Sequence, residues 1–125
     1  MAKRAKKKKA SRRTKSTPRR RATGGDKLPK EAVTLIVVLR AREGQETLLE
    51  AELRALVSPS RKEDTCLKYD VYRCIDAPGA FLLHEVWASR EAHTAHTQTP
   101  HFLRWNAGKD ALIVSRDGNF WKQIA

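Results

Sequence analysis

Cysteine is nearly absent from this 125-residue chain, which holds only Cys66 and Cys74. On one continuous strand, eight residues at ~3.3 Å each set them roughly 26 Å apart. A disulfide needs Cα atoms within about 7 Å. An intrachain bridge is therefore not expected, and a reducing cytoplasm fits the usage. No run of 18 apolar residues exists, so no segment reads as a membrane span. No apolar core follows the N-terminal charges, which speaks against a secretory leader. Acidic residues are almost missing from the first thirty positions, where 14 Lys and Arg meet only Asp26. From residue 31 onward 12 Lys and Arg face 13 acids, so the formal charge of +12 belongs to the N-terminal stretch. That stretch also lacks any large apolar side chain between Met1 and Leu28, so it cannot offset the entropy lost on ordering. These absences imply a disordered Lys/Arg-rich tail over residues 1–30 and one small domain over residues 31–125.

The tail carries Lys6, Lys7, Lys8 and Lys9, then Arg12 and Arg13, then Arg19, Arg20 and Arg21. Such clusters bind phosphate backbones through counterion release, without sequence preference. No aromatic residue interrupts them, so base stacking is not expected. The functional reading is a tether to nucleic acid, which would make a cytoplasmic protein nucleoid-associated. The plainer reading is a solvated extension.

The domain alternates strand and helix signals. Val33 to Leu39 is short, apolar and β-branched, as in a buried strand. Between Glu46 and Val57, apolar residues at Leu48, Leu49, Leu53, Leu56 and Val57 keep helical spacing, and Ser58-Pro59 is expected to end the helix. Leu67 to Cys74 alternates, with Leu67, Tyr69 and Val71 assigned to one face. Asp76-Ala77-Pro78-Gly79 turns the chain into a second strand, Phe81 to Trp87, giving an antiparallel hairpin. Ser89 can cap a helix through Ala92 and His96. Thr99 can cap a restart, with Pro100 at the first helical position where no N–H is needed. Leu112 to Ser115 and Phe120 to Ile124 are two weaker strand candidates around Asp117-Gly118-Asn119. The order β-α-β-β-α-β predicts an α+β, ferredoxin-like fold, with an antiparallel sheet and its helices on one face. The other face needs cover, and a second copy of the chain would supply it.

Three segments carry a family likeness: Leu56-Val57-Ser58-Pro59-Ser60-Arg61 followed by Cys66 and Tyr69, then Asp76-Ala77-Pro78 leading to Phe81 and Glu85-Val86-Trp87, then Ala95-His96-Thr97-Gln98-Thr99-Pro100-His101-Phe102. In order and spacing they resemble the antibiotic biosynthesis monooxygenase family, particularly its quinol monooxygenase type, over roughly residues 33–115. The resemblance implies a homodimeric α+β barrel with a pocket between sheet and helices. It also implies oxidation or oxygenation of an electron-rich hydroxyaromatic by O2, with no metal, flavin or haem. Thr65 stands where many relatives carry Gly. Haem-degrading members of the wider superfamily carry Asn on the first strand, which Val33 to Leu39 lacks, so haem degradation is disfavoured.

Without a cofactor the substrate must itself supply electrons to O2, and a hydroquinone does so readily only once deprotonated. The site then needs a base whose pKa lies near neutrality, beside an apolar hollow. His96 is the first candidate and His101 the second, one on each side of the Thr99-Pro100 break. Tyr69, Trp87 and Phe102 suit stacking on a flat ring, with Glu85 as a polar contact. All but Phe102 have a structural alternative. The two histidines can simply cap the helix break, Trp87 and Tyr69 can be core, and Glu85 can pair with Arg40 or Arg73. His93 reads as a solvated helix residue and His84 as a half-buried strand residue. His93 and His96 share a helical face, but with Glu85 or His84 they do not enforce three converging ligands, so no metal is expected. Two further functions fit the same pattern: a non-catalytic small-molecule-binding dimer tethered to nucleic acid, and an isomerase or signal-degrading relative.

Overall fold

The computed structural model describes residues 28–125. The tail residues expected to meet nucleic acid, Lys6 to Arg21, lie outside the described residues. Eight elements follow in order: β1 (Val33–Ala41), α1 (Glu46–Arg61), β2 (Cys66–Arg73), β3 (Ala80–Trp87), α2 (Arg90–His96), α3 (Pro100–Gly108), a 3-10 turn (Lys109–Ala111) and β4 (Ile113–Trp121). The four strands form one antiparallel sheet in the order β2-β3-β1-β4. This is the expected ferredoxin-like arrangement.

One face of the sheet makes the core. Leu35, Val37 and Leu39 of β1 and Phe81, Leu83 and Trp87 of β3 are buried there, because alternate strand residues share a face. Leu49, Leu53 and Leu56 of α1 pack onto them at helical spacing. On the opposite face Ile36, Val38, Leu82 and His84 are half-buried, while Tyr72 and Trp121 are exposed. No helix of the described residues is long and apolar enough to cross a membrane.

Three local expectations are corrected. Pro59 does not end α1 but lies inside it, and the helix continues to Arg61. A proline so near the end costs one backbone hydrogen bond, and the continuation buries Ser60 completely. Leu67 does not share the inner face with Tyr69. The β2–β3 register slips between Cys66 and Lys68, so Cys66 lies opposite Trp87 and Tyr69 opposite Glu85, with Leu67 turned outward. Leu112 to Ser115 and Phe120 to Ile124 are not separate strands around Asp117-Gly118-Asn119, which is the middle of the single strand β4, where Gly118 faces Val37. The guanidinium of Arg116 lies across Gly118, within 3 Å of where a Cβ would stand. Glycine here makes room for that side chain.

Both cysteines are free, Cys66 buried and Cys74 exposed. Burial pushes the Cys66 thiol up to about 12, so it is not a nucleophile at neutral pH.

Candidate active site

A cavity of about 310 Å³ lies between the sheet and α3. That is the size of a small-ligand site. Leu35, Val37, Leu39 and Leu83 supply its apolar sheet wall, and Phe102 and Trp105 face them from α3. Phe102 and Trp105 are three residues apart, so they share one helix face. Thr99 sets the start of that helix: its Oγ1 accepts from the Phe102 N–H at 3.3 Å, and Pro100 follows as first helical residue.

The polar wall is small. Glu85 enters from β3, Tyr69 from β2, His93 from α2, Lys109 from the 3-10 turn and Arg116 from β4. Glu85 is buried, and the Trp87 indole N–H donates to its Oε1 at 2.9 Å. Burial pushes the Glu85 carboxyl up to about 7, against the opposing pull of the Trp87 hydrogen bond and the Arg116 charge. Burial also drives His93 down to about 4, helped by the charges around it, so it is a neutral imidazole at pH 7. The Tyr69 phenol is raised by burial and keeps its proton. The cavity therefore combines an aromatic wall, a proton acceptor titrating near neutrality, and a cationic rim. Such a lining suits a flat ring and offers a proton acceptor to a group placed beside Glu85.

Behind this wall sits a second polar group. Glu63, in the loop after α1, places Oε2 2.7 Å from His96 Nδ1 and 2.7 Å from His101 Nε2. Ser89 starts α2 by accepting from the Ala92 N–H at 3.0 Å, which brings His96 to the last turn of that helix. The His96 ring lies against Trp87 with centroids 4.4 Å apart and is almost wholly buried. Burial lowers the His96 imidazole, while the Glu63 carboxylate opposes that shift.

Of the residues picked out from sequence, Tyr69, Glu85 and Phe102 line the cavity. His96, His101 and Trp87 are not among its lining residues. His96 and His101 face Glu63, and Trp87 packs against both His96 and Tyr69. Direct proton abstraction by either histidine is thus displaced from the cavity wall. Glu85 pairs with neither Arg40 nor Arg73; Arg73 bonds Glu50 instead. His93 is not solvated but half-buried against the cavity, with Phe120 edge-on at 5.2 Å. Glu63, Trp105 and Arg116 were missed. Trp105 was visible as the next turn after Phe102, and His93 as the helical neighbour of His96. Glu63 and Arg116 carry no periodic signal, since an acid in a loop and a base in an edge strand are ordinary surface residues.

Comparison with known proteins places this geometry. The family model "Antibiotic biosynthesis monooxygenase" matches residues 32–108. A protein of Mycobacterium tuberculosis named "Putative monooxygenase Rv0793" is 36% identical over 82 residues, which is 66% of this chain and 80% of that protein. Its solved structure superposes with a TM-score of 0.72 at 29% identity, covering 76% of this chain and 97% of the other. The crystal structure of PA3566 from Pseudomonas aeruginosa superposes with a TM-score of 0.74 at 36% identity, covering 77% of this chain and 97% of that one.

Proposed function

The chain belongs to the antibiotic biosynthesis monooxygenase family, and from that we propose that it oxidises quinol-like or polyphenolic aromatics with O2 and without a cofactor. The family match and the relative's name support a monooxygenase-type activity in general terms. The quinol substrate rests on the cavity, and one observation carries it: a buried carboxyl titrating near 7 opens onto a hollow walled by Phe102 and Trp105.

The ring lies between those aromatics and the leucines of the sheet, with a hydroxyl toward Glu85. Ionised Glu85 takes the hydroxyl proton, and its pKa near the working pH lets it act as acceptor and then release the proton. Arg116 stabilises the phenolate that forms. The phenolate is electron-rich enough to reduce O2. When a hydroquinone gives up both electrons and both protons, the products are quinone and hydrogen peroxide. When O2 instead bonds a ring carbon that carries hydrogen, one oxygen stays as a carbonyl. The other leaves as water, with the ring hydrogen and the hydroxyl proton. A second copy of the chain covers the open sheet face, whose apolar residues Ile36, Val38 and Leu82 support a homodimer.

The test is O2 uptake by the full chain, dialysed against chelator, with a reduced naphthoquinone, before and after catalase. Uptake well above autoxidation is expected. Return of half the oxygen on adding catalase identifies the peroxide route, and no return identifies oxygen insertion. A panel of hydroquinones and polyphenols oxidised no faster than in buffer would remove the proposal.

A further inference from the structure

We propose that Glu63, His96 and His101 form a binding site for one divalent transition-metal ion, through one carboxylate oxygen and two imidazole nitrogens. It goes beyond the proposed reaction and does not depend on it. The ligand atoms of these three residues all lie within 4.8 Å of one another. They come from three separate segments: the loop after α1, the last turn of α2 and the first turn of α3. Sequence spacing shows at most the two histidines; the fold adds the carboxylate.

The donor set selects the ion. Two nitrogens and one oxygen suit zinc, ferrous iron or cobalt, whereas calcium and magnesium prefer oxygen alone. Three protein ligands with a further position for water is the pattern of an open zinc site. An ion about 2.0–2.2 Å from each donor needs neighbouring donors roughly 3.3 Å apart. Glu63 Oε2 now lies 2.7 Å from each nitrogen, so the carboxylate must withdraw by roughly half an ångström to admit it. Its position in a loop allows that movement. Access is from the Glu63 and His101 side, since those side chains are 16% and 13% exposed and His96 only 1%. The Thr99 hydroxyl, 3.2 Å from His101 Nε2, stands beside the site and can hydrogen-bond a water on the ion.

The ion would tie the α1–β2 loop to the α2–α3 junction. His96, one of its ligands, is stacked on Trp87, whose indole bonds Glu85. None of the three ligands lines the cavity, so the ion would act on it through His96 and Trp87 rather than by contact with its lining.

The experiment uses the full chain stripped with chelator and titrated with Zn(II) by calorimetry and with Co(II) by visible absorption. One equivalent is expected to bind, with Co(II) ligand-field bands and a rise in Tm on adding Zn(II). Glu63→Gln, which keeps a hydrogen-bonding oxygen, and His101→Ala should each weaken binding by roughly 100-fold or more. Cys74→Ser and His84→Ala, donors outside the cluster, should leave the titration unchanged. Should a cluster variant not fold, imidazole nitrogen shifts in the wild-type chain decide: Zn(II) should move His96 and His101 first. No saturable one-to-one binding, equal affinity in a folded Glu63→Gln, or first shifts at His84 or His93 would overturn the site.

Discussion

Trp87 donates its indole N–H to Glu85 Oε1 across 2.9 Å, two residues apart on the same face of β3. The bond stabilises the ionised carboxyl inside a wall that otherwise disfavours it. Losing a hydrogen bond to a charged group costs about 1.5 kcal/mol or more, which is about one pKa unit. Trp87→Phe should therefore shift the pH dependence of kcat/KM upward by about one unit, read from quinol-dependent O2 uptake. An unmoved profile would show that the indole does not tune Glu85.

The raised carboxyl has a consequence for folding. Its unfolded value is 4.5 and its folded value about 7. The folded state holds the proton more tightly, so this stability is fully present below pH 4.5 and is lost as pH rises through 7. The gap corresponds to ~3 kcal/mol. Glu85→Gln, which cannot ionise, should escape the loss. Urea titrations should find the variant gaining on wild type between pH 4.5 and 8, with the difference levelling off above that range.

Phe102 and Trp105 offer stacking surface to any flat ring in the cavity. An aromatic pair contributes about 0.5–1.5 kcal/mol beyond area burial. Phe102→Leu should raise KM roughly three- to tenfold while leaving kcat nearly unchanged, as loss of uniform binding does. A fall in kcat at constant KM would mean that the ring positions the reacting group instead.

The open sheet face should fail as an interface when charged. Leu82 lies in its centre, paired with Val38 on β1 and Tyr72 on β2. Leu82→Lys points away from the cavity and should convert a dimer to a monomer in light scattering after size-exclusion chromatography. Equal masses for both proteins would place the dimer contact elsewhere or exclude it.

The sequence carried most of the fold because periodicity is local. Leu49, Leu53 and Leu56 declare a helix face, Asp76 to Gly79 a hairpin, and Ser89 and Thr99 two caps that both form. Where a rule failed, a tertiary contact prevailed. The bulge at Leu67 leaves both Cys66 and Tyr69 buried, and Gly118 stays extended because β1 pairs along it and Arg116 covers it. The site was half legible. Tyr69, Glu85 and Phe102 could be picked out by residue type against an apolar background. That His96 faces Glu63, and that Arg116 reaches the cavity, depends on partners 33 and 31 residues away and leaves no periodic trace.

The central claim is that Glu85 takes the substrate's proton. It is tested most directly by kcat/KM for quinol-dependent O2 uptake between pH 5 and 9, in wild type and Glu85→Gln. Wild type should rise through about pH 7 and level off, and the variant should lose roughly 10²–10⁴ in rate along with that step. A folded Glu85→Gln that kept the wild-type rate and the same step would contradict the account.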